Sequence, residues 1–215
     1  MMPPALALRL HGSWRTAQPN SLYASILGRR FRSLHASIRR LHGELEAVRG
    51  ICAVAHGNLA ARVLARLLGL PRAGERQALY VAFDRFNTAG RLREHWHRDF
   101  AGRRLSTWQW QEGDALCERF GPLVLRFRLH ADPVGLRHEL TACRLFGVRL
   151  PRWLSPVIEG TEWPVGRQGV GFRVRVVLPL VGLLIQYGGL VFVGSVDGET
   201  AASSTGGGGE GPCTG

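Results

Sequence analysis

GFRVRVVLPLVGLLIQYGGLVFV, Gly171–Val193, is the longest apolar run in the chain, and its reading decides the class of the fold. From Val176 to Val193 it carries no charge for 18 residues, long enough to qualify as a candidate membrane span. Arg173 and Arg175 before it, with Asp197 and Glu199 after it, would give such a span an orientation. Three features favour strands instead. Pro179, Gly182, Gln186, Gly188 and Gly189 interrupt the run. GFRVRVV enters it at strand period, with Phe172, Val174 and Val176 on one side and Arg173 and Arg175 on the other. LPLVG, residues 178–182, supplies a turn between two apolar halves of strand length. The stretch is expected to be a hairpin that closes a sheet.

The same alternation runs backward through the chain to about Gln77. LVLRFRLH places Leu125, Phe127 and Leu129 on one face and Arg126, Arg128 and His130 on the other, the signature of a half-buried antiparallel strand. QALYVAFDRFN, GRLREHWHRDFAG, RRLSTWQWQEGD, ALCERFGPLVLRFRLHADP and GLRHELTACRLFGVRLP read as strand-like runs punctuated by Gly, Asn or Asp. PRWLSPVIEGTEWPVGRQG, with three prolines, reads as a connection. Upstream the period is helical. Ser21 caps a segment that Gly28 splits in two and Gly43 ends. Ile51, Ala53 and Ala55 alternate as a strand. Asn58 caps NLAARVLARLLGLP, whose Leu59, Val63, Leu67 and Leu68 form an apolar stripe opposite Arg62 and Arg66. The expected fold is α+β: a curved antiparallel sheet of about seven or eight strands with N-terminal helices packed on one face. Residues 1–20 are expected to be a mobile arm, 21–193 the folded domain and 194–215 a Gly/Ser-rich tail.

Composition narrows the function classes. A net charge of +12 is carried by 28 basic residues, all arginine. They are spread along the chain, which favours a solvated face over a recognition cluster and still leaves attraction to anionic lipid or nucleic acid. Cys52, Cys117, Cys143 and Cys213 are far apart, without a CxxC pair, so neither a zinc site nor a disulfide framework is implied. The first 15 residues lack a signal peptide's layout. A cytoplasmic location is expected, with a membrane-peripheral one as the alternative, and no cofactor.

An ordered set of motifs carries a family resemblance. These are Phe31, Leu34 and His42; ARLLGLP (65–71); Trp96, Arg98, Phe100 and Gly102; ERFGPLVL (118–125); GVRLP (147–151) with Pro156; and LPLVGLLIQYGG. Over about residues 21–193 the chain resembles the bacterial domain-of-unknown-function family 4166. The resemblance carries no established activity. It implies a dinucleotide-binding partner, because members of that family occur alone or behind a domain like that of saccharopine dehydrogenase. The chain departs from the family pattern at His35, where proline is usual, and at Gly188, where a basic residue is usual.

Two constellations could carry chemistry. In HWHRD, residues His95, His97 and Asp99 share one strand face, and two imidazoles with a carboxylate are a metal-ligand set. The same spacing is that of an ordinary wet face, which is the favoured reading. On the inward side lie His42, Trp96, Arg98, Glu118 and Tyr187. An inward arginine is costly unless paired, so Arg98 and Glu118 are expected to couple. That couple is either structural or the polar end of an apolar pocket. Trp108 and Trp110 near Arg103 and Arg104 keep a nucleic-acid contact among the readings. Three functions follow: a small-molecule or lipid-binding domain with an apolar cavity, an enzyme using Glu118, His42 or Tyr187 as acid–base groups, or a basic peripheral-membrane or scaffold module.

Overall fold

The computed structural model describes residues 21–194. The expected arm and, beyond Gly194, the expected tail lie outside those residues. Three short helices, α1 (Leu22–Leu27), α2 (Ala36–Gly43) and α3 (Leu59–Leu67), accompany eleven strands. The strands are β1 (Ala47–Ala55), β2 (Gly74–Thr88), β3 (Arg91–Phe100), β4 (Arg103–Glu112), β5 (Ala115–Phe120) and β6 (Leu123–Ala131). Then follow β7 (Leu136–Leu145), β8 (Val148–Arg149), β9 (Val157–Val165), β10 (Gly169–Leu178) and β11 (Gly182–Phe192).

The sheet closes on itself. Its order is β6-β5-β4-β3-β2-β1-β11-β10-β9-β7, and β7 pairs again with β6. The two-residue β8 only extends β7, so ten antiparallel strands form a barrel. This corrects the expected curved sheet of about seven or eight strands with N-terminal helices packed on one face. Two strands are hidden in the sequence. ALCERFGPLVLRFRLHADP folds at Gly121–Pro122 into β5 and β6. The proline-rich connection contains β9, which tolerates Pro164 because its pairing with β7 ends at Glu162. The closing pair joins β1 to β11, with Arg49 opposite Phe192 and Ala55 opposite Gln186.

Gly171–Val193 forms β10, a turn and β11. Pro179, Leu180 and Val181 make the turn, with Leu180 at φ 66° and Gly182 at φ 80°. Outward positions carry Arg128, Arg137, Glu139, Arg173 and Arg175, while the inward neighbours are apolar except His138. A barrel crossing a bilayer has the reverse pattern, apolar outside and polar within. No helix among the described residues is long and apolar enough to cross a membrane.

Antiparallel strands reverse direction at each turn, so alternate connections collect at the same end. One end holds the 3-10 turn Gly28–Ser33, α1 and α2, which contact strands β3 to β6, β9 and β10. Leu22, Tyr23, Leu34, Ile38 and Leu41 bury their side chains there as a stopper. Ser21 caps α1 and the His35 Nδ1 caps α2, accepting from the Ser37 N–H at 3.3 Å. The opposite end is the mouth. It gathers α3 and the turns at residues 101–102, 121–122, 146–147 and 179–181. There α3 is turned against expectation: Ala61 and Ala65 face the barrel, and the stripe of Leu59, Val63 and Leu67 faces solvent.

The seam between β1 and β11 is narrow. A Cβ added at Gly189 would strike the Ile51 carbonyl, and one added at Gly50 would strike the Leu190 carbonyl. Glycine at both inward positions lets the first and last strands meet and coil. Gly189→Val is expected to cost about 3 kcal/mol in urea unfolding. An unchanged midpoint would contradict the tight seam.

Candidate functional site

Period-two alternation points every second side chain into the barrel. From β2 come Leu79, Val81 and Phe83, from β4 Leu105, from β6 Leu125 and Phe127, and from β10 Phe172, Val174 and Val176. They line a cavity of about 510 Å³ that opens at the mouth past Leu70, Phe120, Leu154 and Leu178. The volume falls in the range of small-ligand sites. Ten strands leave more width than inward side chains can fill.

A polar group lies at depth. Arg98 reaches down from β3, its guanidinium 4.8 Å from the Trp96 ring centroid. It donates to Thr107 Oγ1 at 2.9 Å and to Glu118 Oε1 at 3.2 Å. Arg98 and Glu118 keep only 13% and 16% exposure. Burial alone would raise the Glu118 carboxyl, but the Arg98 charge and hydrogen bonds from Thr107, Gln109 and Arg98 hold it below its usual range. Burial likewise opposes the charge on Arg98, and Glu118 outweighs it, so the guanidinium stays charged. Burial pushes the Tyr187 hydroxyl up, leaving it a protonated donor. Tyr187 packs edge-on against Phe100, with ring centroids 5.3 Å apart.

The floor belongs to the stopper. Tyr23 lies 3.8 Å from the His42 ring, centroid to centroid. Its hydroxyl donates to Gln109 Oε1 at 3.3 Å and lies 3.4 Å from His138 Nε2. His42 Nε2 is 2.7 Å from Glu162 Oε2. Burial would raise the Glu162 carboxyl, and the His42 beside it brings it below its usual range. Burial lowers His138, so its imidazole is neutral at pH 7. Behind this floor, the fully buried Glu94 accepts from Trp96 Nε1 at 2.9 Å and faces Arg85 at 3.5 Å.

Of the five inward residues singled out in the sequence, Trp96, Arg98, Glu118 and Tyr187 meet on the cavity wall. His42 does not reach it and sits fully buried behind Tyr23. Tyr23, Thr107, Gln109, His138 and Glu162 also line the cavity. Thr107 and Gln109 were accessible from the alternation of TWQWQ, which the tryptophans obscured. Tyr23 and Glu162 had no such signal, one lying on the stopper and the other in the hidden strand β9.

The His95, His97 and Asp99 face of HWHRD lies on the outer wall. His97 hydrogen-bonds Asp84 at 2.9 Å and Ser106 at 3.1 Å, and His95 stacks on Trp108 at 4.2 Å. Asp99 is diverted to the Gly102 N–H and to Arg104. Asp84 from β2 takes its place, with ligand atoms of Asp84, His95 and His97 all within 4.8 Å of one another.

These features define a closed antiparallel barrel, stoppered by helices at one end, with an apolar interior cavity and charged groups paired at depth. The chain belongs to the family of the domain of unknown function DUF4166, whose model matches residues 34–191. A comparison with curated proteins found no match. Among solved structures the chain is similar to a protein of unknown function from the DUF3598 family of Nostoc punctiforme. That similarity has 10% identity and a TM-score of 0.44, over 69% of this chain and 47% of the other. The chain thus spans about half the length of that protein.

Removing Arg98 alone strands a buried carboxylate. Arg98→Met is expected to lower unfolding free energy by about 3 kcal/mol, and Arg98→Met/Glu118→Leu to recover most of it. Equal losses in the single and double variants would refute the coupling. Glu118 and Glu162 have folded values below their unfolded ones. Their stabilisation is therefore complete above about pH 4.3, the unfolded glutamate value, and is lost as pH falls through the depressed folded values. In an acid titration of stability, the gap between the parent chain and Glu118→Gln should narrow below that pH. A constant gap would contradict the assignment.

Proposed function

We propose that the barrel binds an apolar small molecule or lipid whose single polar end is uncharged. The cavity carries this reading: it is apolar from the mouth down to Arg98, Glu118, Gln109 and Tyr187. The apolar body of the ligand fills the shaft, gaining about 0.8 kcal/mol for each buried methylene. Its polar end meets donors from Arg98 and Tyr187 and the Gln109 amide. The Arg98 charge is already balanced by Glu118 at 3.2 Å, and Glu162 lies on the same wall. An anionic head would face two carboxylates in a medium of low dielectric, so a hydroxyl, ketone or amide suits the site better than a carboxylate.

Binding is better supported than acid–base catalysis. Glu118 is ionised and held by Arg98, Tyr187 is a poor acid, and His42 is screened by Tyr23. A general base poised near pH 7 needs access to its substrate as well as a matched pKa.

N-phenyl-1-naphthylamine, an uncharged apolar fluorophore, is expected to bind saturably with a rise in emission. Long-chain alcohols should displace it more effectively than carboxylates of equal length. Leu105→Trp, which fills the shaft, should weaken binding by about tenfold or more, equivalent to about 1.4 kcal/mol. Non-saturable binding, or indifference to Leu105→Trp in a folded variant, would overturn the reading.

A further inference from the structure

The mouth is unlike the rest of the surface. Of the seven large apolar side chains more than two-thirds exposed among the described residues, six are here: Leu59, Leu67, Phe146, Val148, Trp153 and Leu180. The seventh, Val134, sits at the other end. Such clustering marks a surface that meets something apolar. The six come from separate segments: α3, the β7–β8 turn with β8, the connection to β9, and the β10–β11 turn. Together they ring the opening rather than form a single stripe.

Backbone conformation at two of these tips adds to the contrast. Phe146 and Leu180 occupy the left-handed region at φ 50° and 66°, with 79% and 101% exposure. That conformation costs an L-residue about 1–2 kcal/mol. The other two non-glycine residues at positive φ, Ala89 at the stoppered end and Ala101 at the mouth, carry only a methyl group, and glycine serves the same role without cost in turns such as those at Gly113 and Gly166. At the mouth, large apolar side chains are held at turn tips in spite of both strain and water. Solvation and turn chemistry alone would select against them.

Charge identifies the partner. On α3 the exposed Arg62 and Arg66 share the solvent face with Leu59 and Leu67 rather than lying opposite them as expected, and Arg149 and Arg152 flank Val148 and Trp153. All four are exposed, and none forms an ion pair with a described residue. Arg103 and Arg104 add two more exposed guanidinium groups at the β3–β4 turn, one donating to the Gly69 carbonyl and the other paired with Asp99. Apolar tips among exposed arginines, four of them without an ion-pair partner among the described residues, match the boundary between anionic headgroups and acyl chains.

We infer that the mouth of the barrel docks on an anionic lipid bilayer, with Phe146, Trp153 and Leu180 inserted and the rim arginines on lipid phosphates. The surface stands on exposure and charge, independently of what the cavity holds. Docked this way, the shaft opens directly into the acyl region, so an apolar molecule could pass between bilayer and barrel without crossing water.

The test uses the full chain with vesicles of phosphatidylcholine alone, or of three parts phosphatidylcholine to one part phosphatidylglycerol. Sedimentation is expected to show binding to the anionic vesicles at least about tenfold tighter than to the neutral ones. Trp153 emission should shift to the blue and be quenched by brominated acyl chains, and Trp153→Phe should remove most of that quenching. Leu180→Asp/Phe146→Asp should weaken binding about tenfold or more, and Arg62→Gln/Arg66→Gln about twentyfold. Both variants should still bind N-phenyl-1-naphthylamine, which shows the barrel intact. The inference is overturned if vesicle binding is absent, or if it ignores the Leu180/Phe146 change and vanishes with salt, since net charge alone would then explain it. Self-association lost in the Leu180/Phe146 variant, without vesicle binding, would overturn it in favour of a second copy on this face. Failure of fluorophore binding with vesicle binding retained would count against the cavity reading alone.

Discussion

The architecture depends on the pairing of β1 with β11. These strands are far apart in sequence, so their pairing carries the loop-closure entropy of almost the whole domain. Without it the sheet would have two free edges and an inner face open to water. With it the inner face encloses a volume, and ten strands make that volume wider than the inward side chains can occupy. Gly50 and Gly189 are what allow the contact, since a side chain at either position would strike the opposite backbone. The cavity is therefore a consequence of closure.

Closure also explains the polar interior. Arg98, Glu118, Glu162 and Glu94 would be ordinary on an open sheet with a wet face. Inside a barrel each needs a partner, and each has one: Glu118 for Arg98, His42 for Glu162, Arg85 and Trp96 for Glu94. Paired charges stabilise the fold less than apolar packing of the same volume would. Their retention beside an open shaft is in keeping with a site that orients a ligand, where one polar contact fixes direction and the apolar wall supplies most of the affinity.

The two ends divide the work. The stopper buries its apolar residues and supplies Tyr23 and His42 to the floor. The mouth does the opposite. Its helix α3 turns alanines inward because Ala61 and Ala65 allow close approach to the barrel, and this leaves leucine and valine outside. The amphipathic pattern of α3 is thus real, but its apolar face is not directed at the core.

Much was legible from periodicity. The alternation in GFRVRVV and LVLRFRLH identified strands and their inward faces, because side-chain direction along a strand is a local property. The helix ends at Gly28 and Gly43 and the cap at Asn58 were legible for the same reason. Local chemistry also suggested the Arg98–Glu118 couple, since an inward arginine requires an anion. Tertiary structure alone decided that the sheet closes, because strand period is the same in an open sheet and a barrel. It alone replaced Asp99 with Asp84 beside His95 and His97, because cross-strand register brings together residues 11 and 13 apart in sequence. It alone withdrew His42 from the cavity and set Tyr23 and Glu162 on its wall, because Tyr23 and His42 depend on how the stopper enters the barrel and Glu162 on the pairing of β9. Sequence determined which faces were apolar; closure determined which of them became an interior and which became a rim.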